Sequence, residues 1–233
     1  MNLNLPFASK TLYETYSSLN GQIEVVEIGS RRRLTVGNFN YSLFSSDLND
    51  LFLDRYWGKM VKGIKNRREN LKQVLILGLG GGTFAFLLNH YFSPQVIEGV
   101  EIDPQIIEIG CRYFYLSQFA NLTVHLADAA DWVRQERLRQ ANAYDLIIFD
   151  LYQAVSLPPK CEREDFLKAS FELLTSGGMA VFNRVCCQKE KEEIVDRFCE
   201  EKLRPFFATI EEDLVKGALG FNNYIVYAQK KGA

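Results

Sequence analysis

A chain of 233 residues with 47% apolar and 24% charged side chains is a folding sequence, long enough to bury a sizeable core, and neither collagen-like, low-complexity nor wholly disordered. Its 27 basic and 29 acidic residues leave a formal charge of −2, so no global basic field drives non-specific nucleic-acid binding. No apolar run approaches the roughly 18–20 residues of a membrane helix.

In chain order, residues 11–45 alternate polar and apolar side chains. They read as a small N-terminal β-hairpin domain, residues 1–46: a strand in QIEVVEIG, a tight turn at Gly29–Ser30, and a second strand in LTVGNFNYSLF. Residues 47–68 have helical spacing, with Leu48, Leu51, Phe52, Tyr56 and Met60 on one face and Ser46 or Asp47 as cap. From residue 73 strands and helices alternate, which defines a second domain, 47–233. Strands are expected in QVLILG, QVIEGVEID, NLTVHLAD, YDLIIFD and MAVFNRV. Between them lie helices in TFAFLLNHYF, PQIIEIGCRYFYL, ADWVRQERLRQ and REDFLKASFELL, the last closed by Ser176-Gly177-Gly178. A charged helix, KEKEEIVDRFCEEKL, precedes two strands joined by a link too short for a crossover, hence an antiparallel hairpin. Strands apolar on both faces, separated by helices, make a mostly parallel sheet covered on both sides.

The most informative stretch is VLILGLGGGT. Gly78, Gly80, Gly81 and Gly82 lie between a strand and a helix, where bare main-chain N–H groups and a helix start can approach a ligand. The spacing fits neither the dinucleotide fingerprint nor the Walker pattern. The next strand ends at Glu101-Ile102, placed to accept from ribose hydroxyls or simply to be solvated. Asp103 precedes Pro104 and reads as a helix cap. The third strand ends at Asp128-Ala129, where the carboxylate either accepts from an adenine amino group or caps the following helix. The fourth ends at Asp150, a candidate catalytic base, followed by Tyr152, whose ring either faces a sulfonium or packs in the core. Ligands of open α/β sheets bind outside the carboxyl ends of the strands, and these four neighbouring ends together suit an adenosine ligand.

The succession VLILGLGGGT, VEIDPQ, HLADAADWV and YDLIIFD resembles the AdoMet-binding, Rossmann-like core of class I methyltransferases, and more closely the spermidine synthase (polyamine aminopropyltransferase) family, over about residues 10–230. That resemblance implies a seven-stranded core under a small β domain, usually dimeric. It implies Gly78, Gly80 and Gly82 around a nucleoside sulfonium, Glu101 and Ile102 at the ribose, Asp128 and Ala129 at adenine, and Asp150 at the reacting centre. The family's loop reads GGGDGG; here Gly81 stands in place of its aspartate, and Gln153 in place of a second aspartate after the fourth strand. Two fewer carboxylates suit a di-cationic substrate poorly. The first expectation is therefore methyl transfer from intact AdoMet to an unknown acceptor. Aminopropyl transfer from decarboxylated AdoMet is the alternative, and a non-catalytic nucleoside-binding or dimeric scaffold the third.

Five cysteines, Cys111, Cys161, Cys186, Cys187 and Cys199, lack metal-ligand spacing and read as free thiols. With no signal-peptide pattern at the start, they support a cytoplasmic protein that uses no metal.

Overall fold

Four consecutive apolar residues, Val74–Leu77, are wholly buried, as a strand covered on both faces requires. They belong to β5 (Gln73–Leu77), an interior strand of a seven-stranded sheet. The computed structural model describes residues 9–45, 55–152, 157–217 and 220–232. β6 (Val96–Glu101) and β7 (Leu122–Leu126) lie on one side of β5. On the other lie β8 (Tyr144–Phe149), β9 (Leu174–Cys187), β11 (Phe221–Lys230) and β10 (Phe207–Val215). The order is β10-β11-β9-β8-β5-β6-β7. The pairings from β7 through β9 are parallel; β11 runs antiparallel to both β9 and β10, the expected terminal hairpin.

Helices cover both faces. One apolar cluster unites α1 (Tyr56–Arg67) and α2 (Thr83–Phe92) with the sheet. Another, on the opposite face, includes α4 (Ala129–Arg139) and α5 (Glu164–Leu173). α3 (Pro104–Tyr113) starts as expected: Asp103 caps it by accepting from Gln105 N–H at 2.9 Å, with Pro104 at the first turn. Ser46, Asp47, Leu48, Leu51 and Phe52, assigned above to the start of the first helix, lie outside the described residues, as does the division at 46/47. No helix among the described residues is long and apolar enough to cross a membrane.

Three elements differ from expectation. The N-terminal part is a four-stranded antiparallel sheet, not one hairpin: β1 (Ser9–Ser17), β2 (Gly21–Ile28), β3 (Arg31–Val36) and β4 (Phe39–Ser45), in that order. LTVGNFNYSLF splits because Gly37 takes φ +54°, reversing the chain at Gly37–Asn38. The turn at Gly29–Ser30 is present, with Ile28 paired to Arg31. Second, Ser176-Gly177-Gly178 does not close α5. It forms a wide bulge inside β9, where Tyr144 pairs with Leu174 but Leu146 already pairs with Met179. Lys230 Nζ donates to Phe171 O in the last turn of α5 and to Leu174 O just beyond it. Third, the charged helix after β9 winds through two wide π-type segments, Glu192–Asp196 and Cys199–Leu203, which bring Val195, Phe198 and Leu203 onto the core.

The small sheet lies against α3, burying Ile23, Val25, Leu34 and Val36 with Ile106 and Ile109. Polar links tie the two layers. Asp103 also accepts from Ser17 Oγ and from Asn20 Nδ2 (2.7 Å), and Arg32 donates to Tyr113 O at 2.6 Å. β4 therefore passes directly over the glycine turn.

Candidate active site

The turn after β5 is shaped by Gly78. It adopts φ +87°, and a Cβ there would lie 2.2 Å from the carbonyl oxygen of Asp150. This close approach brings the ends of β5 and β8 side by side. Sequence reasoning expected open N–H groups along the turn, and here it needs correction. Gly78 and Leu79 donate to Val100 O (3.0 Å each) and Gly80 to Glu101 Oε2 (2.9 Å). Gly81 donates to Ser42 Oγ (2.7 Å) and Gly82 to Leu79 O (3.1 Å). The tight turn and β4 take up these donors, so the glycines contribute room for a ligand rather than N–H groups. Gly81 is not on the cavity wall: it is pressed against Ser42 and Leu34, which fill the position where the resemblance places an aspartate.

Above the strand ends is a cavity of about 570 Å³, within the common range for small-molecule sites. Gly78, Gly80, Glu101, Ile102, Asp128, Ala129, Asp150 and Tyr152 all line it; Gly82 does not, standing behind it as the start of α2 with Leu116 close by. The strand ends thus bring together seven of the eight residues that the resemblance places at the ligand, with Tyr152 beside them.

Glu101 is buried, and Oε1 accepts from the N–H groups of Ile102 (2.9 Å) and Asp103 (3.1 Å) while Oε2 takes that of Gly80. Burial raises its pKa, opposed by these three N–H groups. Oε2, with one donor, retains capacity for a hydroxyl. Asp128 caps α4, Oδ1 accepting from Ala130 N–H at 2.9 Å, and pairs through Oδ2 with Lys160. Burial opposes its charge, but Lys160 and the helix-start N–H groups prevail and hold it below the usual carboxylate range.

Asp150 is held differently. Its Oδ2 accepts from the Tyr56 hydroxyl and its Oδ1 from Asn183 Nδ2, each at 2.8 Å. Both partners are neutral, so burial dominates and pushes the carboxyl up to about 6. The Tyr56 hydroxyl is driven well above its ordinary value, first by burial and then by Asp150, so it remains a donor. Behind Asn183, its Oδ1 accepts from Asn223 Nδ2 at 2.9 Å. Tyr152 is anchored by its hydroxyl, which donates to Asn183 O (3.0 Å) and accepts from Val185 N–H (2.8 Å). Its carbonyl accepts from Tyr41 at 2.6 Å, a further link to the small sheet. Gln153 lies outside the described residues.

Tyr56, Asn183, Asn223, Ser42 and Lys160 were not singled out as site residues from sequence. Asn183 and Asn223 did carry a signal, being amides within strands otherwise apolar, where a polar group needs a partner. Tyr56 gave none beyond its place on an apolar helical face.

The strand order with its antiparallel penultimate member defines a methyltransferase-like α/β fold, and solved structures share it. Spermidine synthase from Thermotoga maritima superposes with a TM-score of 0.73 at 17% identity, over 96% of this chain and 74% of its own. Human methyltransferase-like protein 13, solved with SAH, gives 0.64 at 25% identity, over 75% of this chain and 82% of its own. The model of the spermine/spermidine synthase domain matches residues 55–215, and the chain belongs to that family. Polyamine aminopropyltransferase of Vibrio vulnificus is 32% identical over 118 residues, 51% of this chain and 39% of the relative. Human eEF1A lysine and N-terminal methyltransferase is 31% identical over 121 residues, 48% of this chain and 17% of the relative. The chain thus spans well under half the length of either curated relative. Both are named as transferases, one of aminopropyl and the other of methyl groups.

Proposed function

We infer that this chain is an alkyltransferase that holds an adenosyl sulfonium over the carboxyl ends of β5, β6 and β7 and passes its alkyl group to an amine at Asp150. The observation that carries this reading is the Asp150 carboxylate, fixed by Tyr56 and Asn183 at the cavity wall with its pKa raised to about 6. A base with a pKa near the working pH accepts a proton efficiently. When bound, the sulfonium supplies an electrophilic carbon. The amine nitrogen bonds to that carbon as the carbon–sulfur bond breaks. The electron pair stays on sulfur as a neutral thioether, and the proton leaving nitrogen passes to Asp150. Tyr56 and Asn183 hold the carboxylate in one orientation, the positioning on which such a displacement depends. Gly78 and Gly80 leave space for the donor, Glu101 and Ile102 meet the ribose, and Asp128 and Ala129 border the adenine, where Lys160 shares Asp128 with the base.

Aminopropyl transfer from decarboxylated S-adenosylmethionine is the first reading, supported by the family. Methyl transfer from S-adenosylmethionine is the second, favoured by the missing carboxylate at Gly81 and by the similarity to the eEF1A methyltransferase. The products separate them: incubation with each donor and a mixture of amines is expected to yield methylthioadenosine, whereas S-adenosylhomocysteine selects the second reading. Release of neither overturns alkyl transfer.

Three further expectations remain part of this proposal. The division into units 1–46 and 47–233 is supported by the two separate sheets. The edge of β1, unpaired among the described residues and carrying exposed Tyr16, supports a homodimer. The free cysteines support a reducing, cytoplasmic setting.

A further inference from the structure

The charged groups around the cavity differ in what remains open to a ligand. Glu101 already accepts three N–H groups, and Asp128 is paired with Lys160. Among the described residues, Asp150 is the one lining carboxylate held by neutral side chains rather than by main-chain N–H groups or a cation. Two cationic residues, Arg55 and Lys216, also line the cavity; both are exposed, and among the described residues neither is joined to a carboxylate.

Their position follows from the sheet. The glycine turn, Glu101 and Asp128 stand at β5, β6 and β7, in one half. Asp150, Asn183 and Asn223 stand at β8, β9 and β11, in the other. Lys216 directly follows β10, and Arg55 directly precedes Tyr56, whose hydroxyl touches Asp150. Both cations therefore belong to the Asp150 half. Phe221, at the start of β11 and 47% exposed, adds an apolar surface to the same wall.

We propose that the acceptor is an amine carrying its own carboxylate, an amino-acid-like zwitterion, rather than a diamine or polyamine. This rests on the alkyl transfer inferred above and names its acceptor class. A diamine brings a second ammonium into a half-cavity where, among the described residues, the one available carboxylate is engaged by the reacting nitrogen, and sets it against Arg55 and Lys216. A carboxylate in that place meets those cations, while the carbons between the two groups lie along Phe221. Selection works by repulsion of the wrong ligand as well as attraction of the right one.

Calorimetry on the full chain tests this, first with methylthioadenosine and S-adenosylhomocysteine, then on the nucleoside-loaded protein. The second titration compares linear ω-amino acids with diamines matched in carbon number, including 4-aminobutanoate and 1,4-diaminobutane. The expected result is binding of an amino acid at least about tenfold tighter than its matched diamine. The double variant Arg55→Glu, Lys216→Glu is expected to reverse that order with nucleoside affinity unchanged. A diamine bound as tightly or more tightly, no amine bound at all, or an order untouched by the double variant overturns the proposal while leaving alkyl transfer standing. Failure of both nucleosides to bind overturns the two together.

Discussion

The two halves of the cavity are built by different means. At the β5–β7 end the wall is made by the course of the main chain: a turn folded on its own N–H groups, and carboxylates held by backbone amides at Glu101 and Asp128. At the β8–β11 end it is made by side chains from α1, β9 and β11 converging on Asp150. A wall made from backbone resists everything except a change in the chain's path. A wall made from side chains is tuned one residue at a time. The first suits a constant nucleoside and the second a variable acceptor.

The largest expected effect falls on the side-chain half. Asp150→Asn is expected to lower turnover by about 100- to 10,000-fold with nucleoside affinity within a few fold; unchanged turnover in a single-turnover assay refutes its role as base. The same variant has a stability signature. Because the folded-state pKa of Asp150 is raised to about 6 from an ordinary 3.8, folded protein keeps a proton that unfolded chain has lost between those values. Stability contributed by this group falls as pH rises through that window. Asp150→Asn is therefore expected to raise Tm at pH 7 and to leave it nearly unchanged below pH 4, read by differential scanning calorimetry at both.

Gly78→Ala tests the backbone half. Its Cβ meets the Asp150 carbonyl at 2.2 Å and its φ is +87°, so a loss of roughly 3 kcal/mol or more is expected, with nucleoside binding lost at once. A variant that keeps its Tm and its ligand shows that the two strand ends are not locked together. The smallest effect belongs to Asn183→Ala. It removes one of the two hydrogen bonds that favour the charged carboxylate, so the acid limb of kcat/KM is expected to move up from about 6 by roughly half to one pH unit. Turnover well above that limb should fall only a few fold, and an unmoved limb assigns it to another group.

The same contrast explains what the sequence made legible. Main-chain features leave local marks. Glycines after a short apolar run predict the turn, and an acid at each strand end predicts Glu101, Asp128 and Asp150 on one rim. Side-chain convergence leaves none: Tyr56 and Asp150 are 94 residues apart, and only the folded chain makes them neighbours. The occupancy of the turn's N–H groups was equally hidden, because Ser42 reaches Gly81 from another sheet. The errors in the elements were local conflicts decided by distant partners. Ser176-Gly177-Gly178 has the composition of a helix stop, yet pairing of Leu174 with Tyr144 draws it into β9 while Lys230 serves the helix end.

Gly81 carries one consequence for redesign. Restoring the aspartate of the family's GGGDGG loop looks like a single exchange, but a Cβ at residue 81 stands 3.0 Å from both the Cβ and Oγ of Ser42 and 3.3 Å from Leu34. The exchange would also crowd the Ser42 hydroxyl that serves the Gly81 N–H. Reversion to the ordinary loop chemistry is thus a two-site journey, with β4 trimmed at Ser42 before position 81 can take on an acid, and an engineer who changes the loop alone meets a steric ratchet.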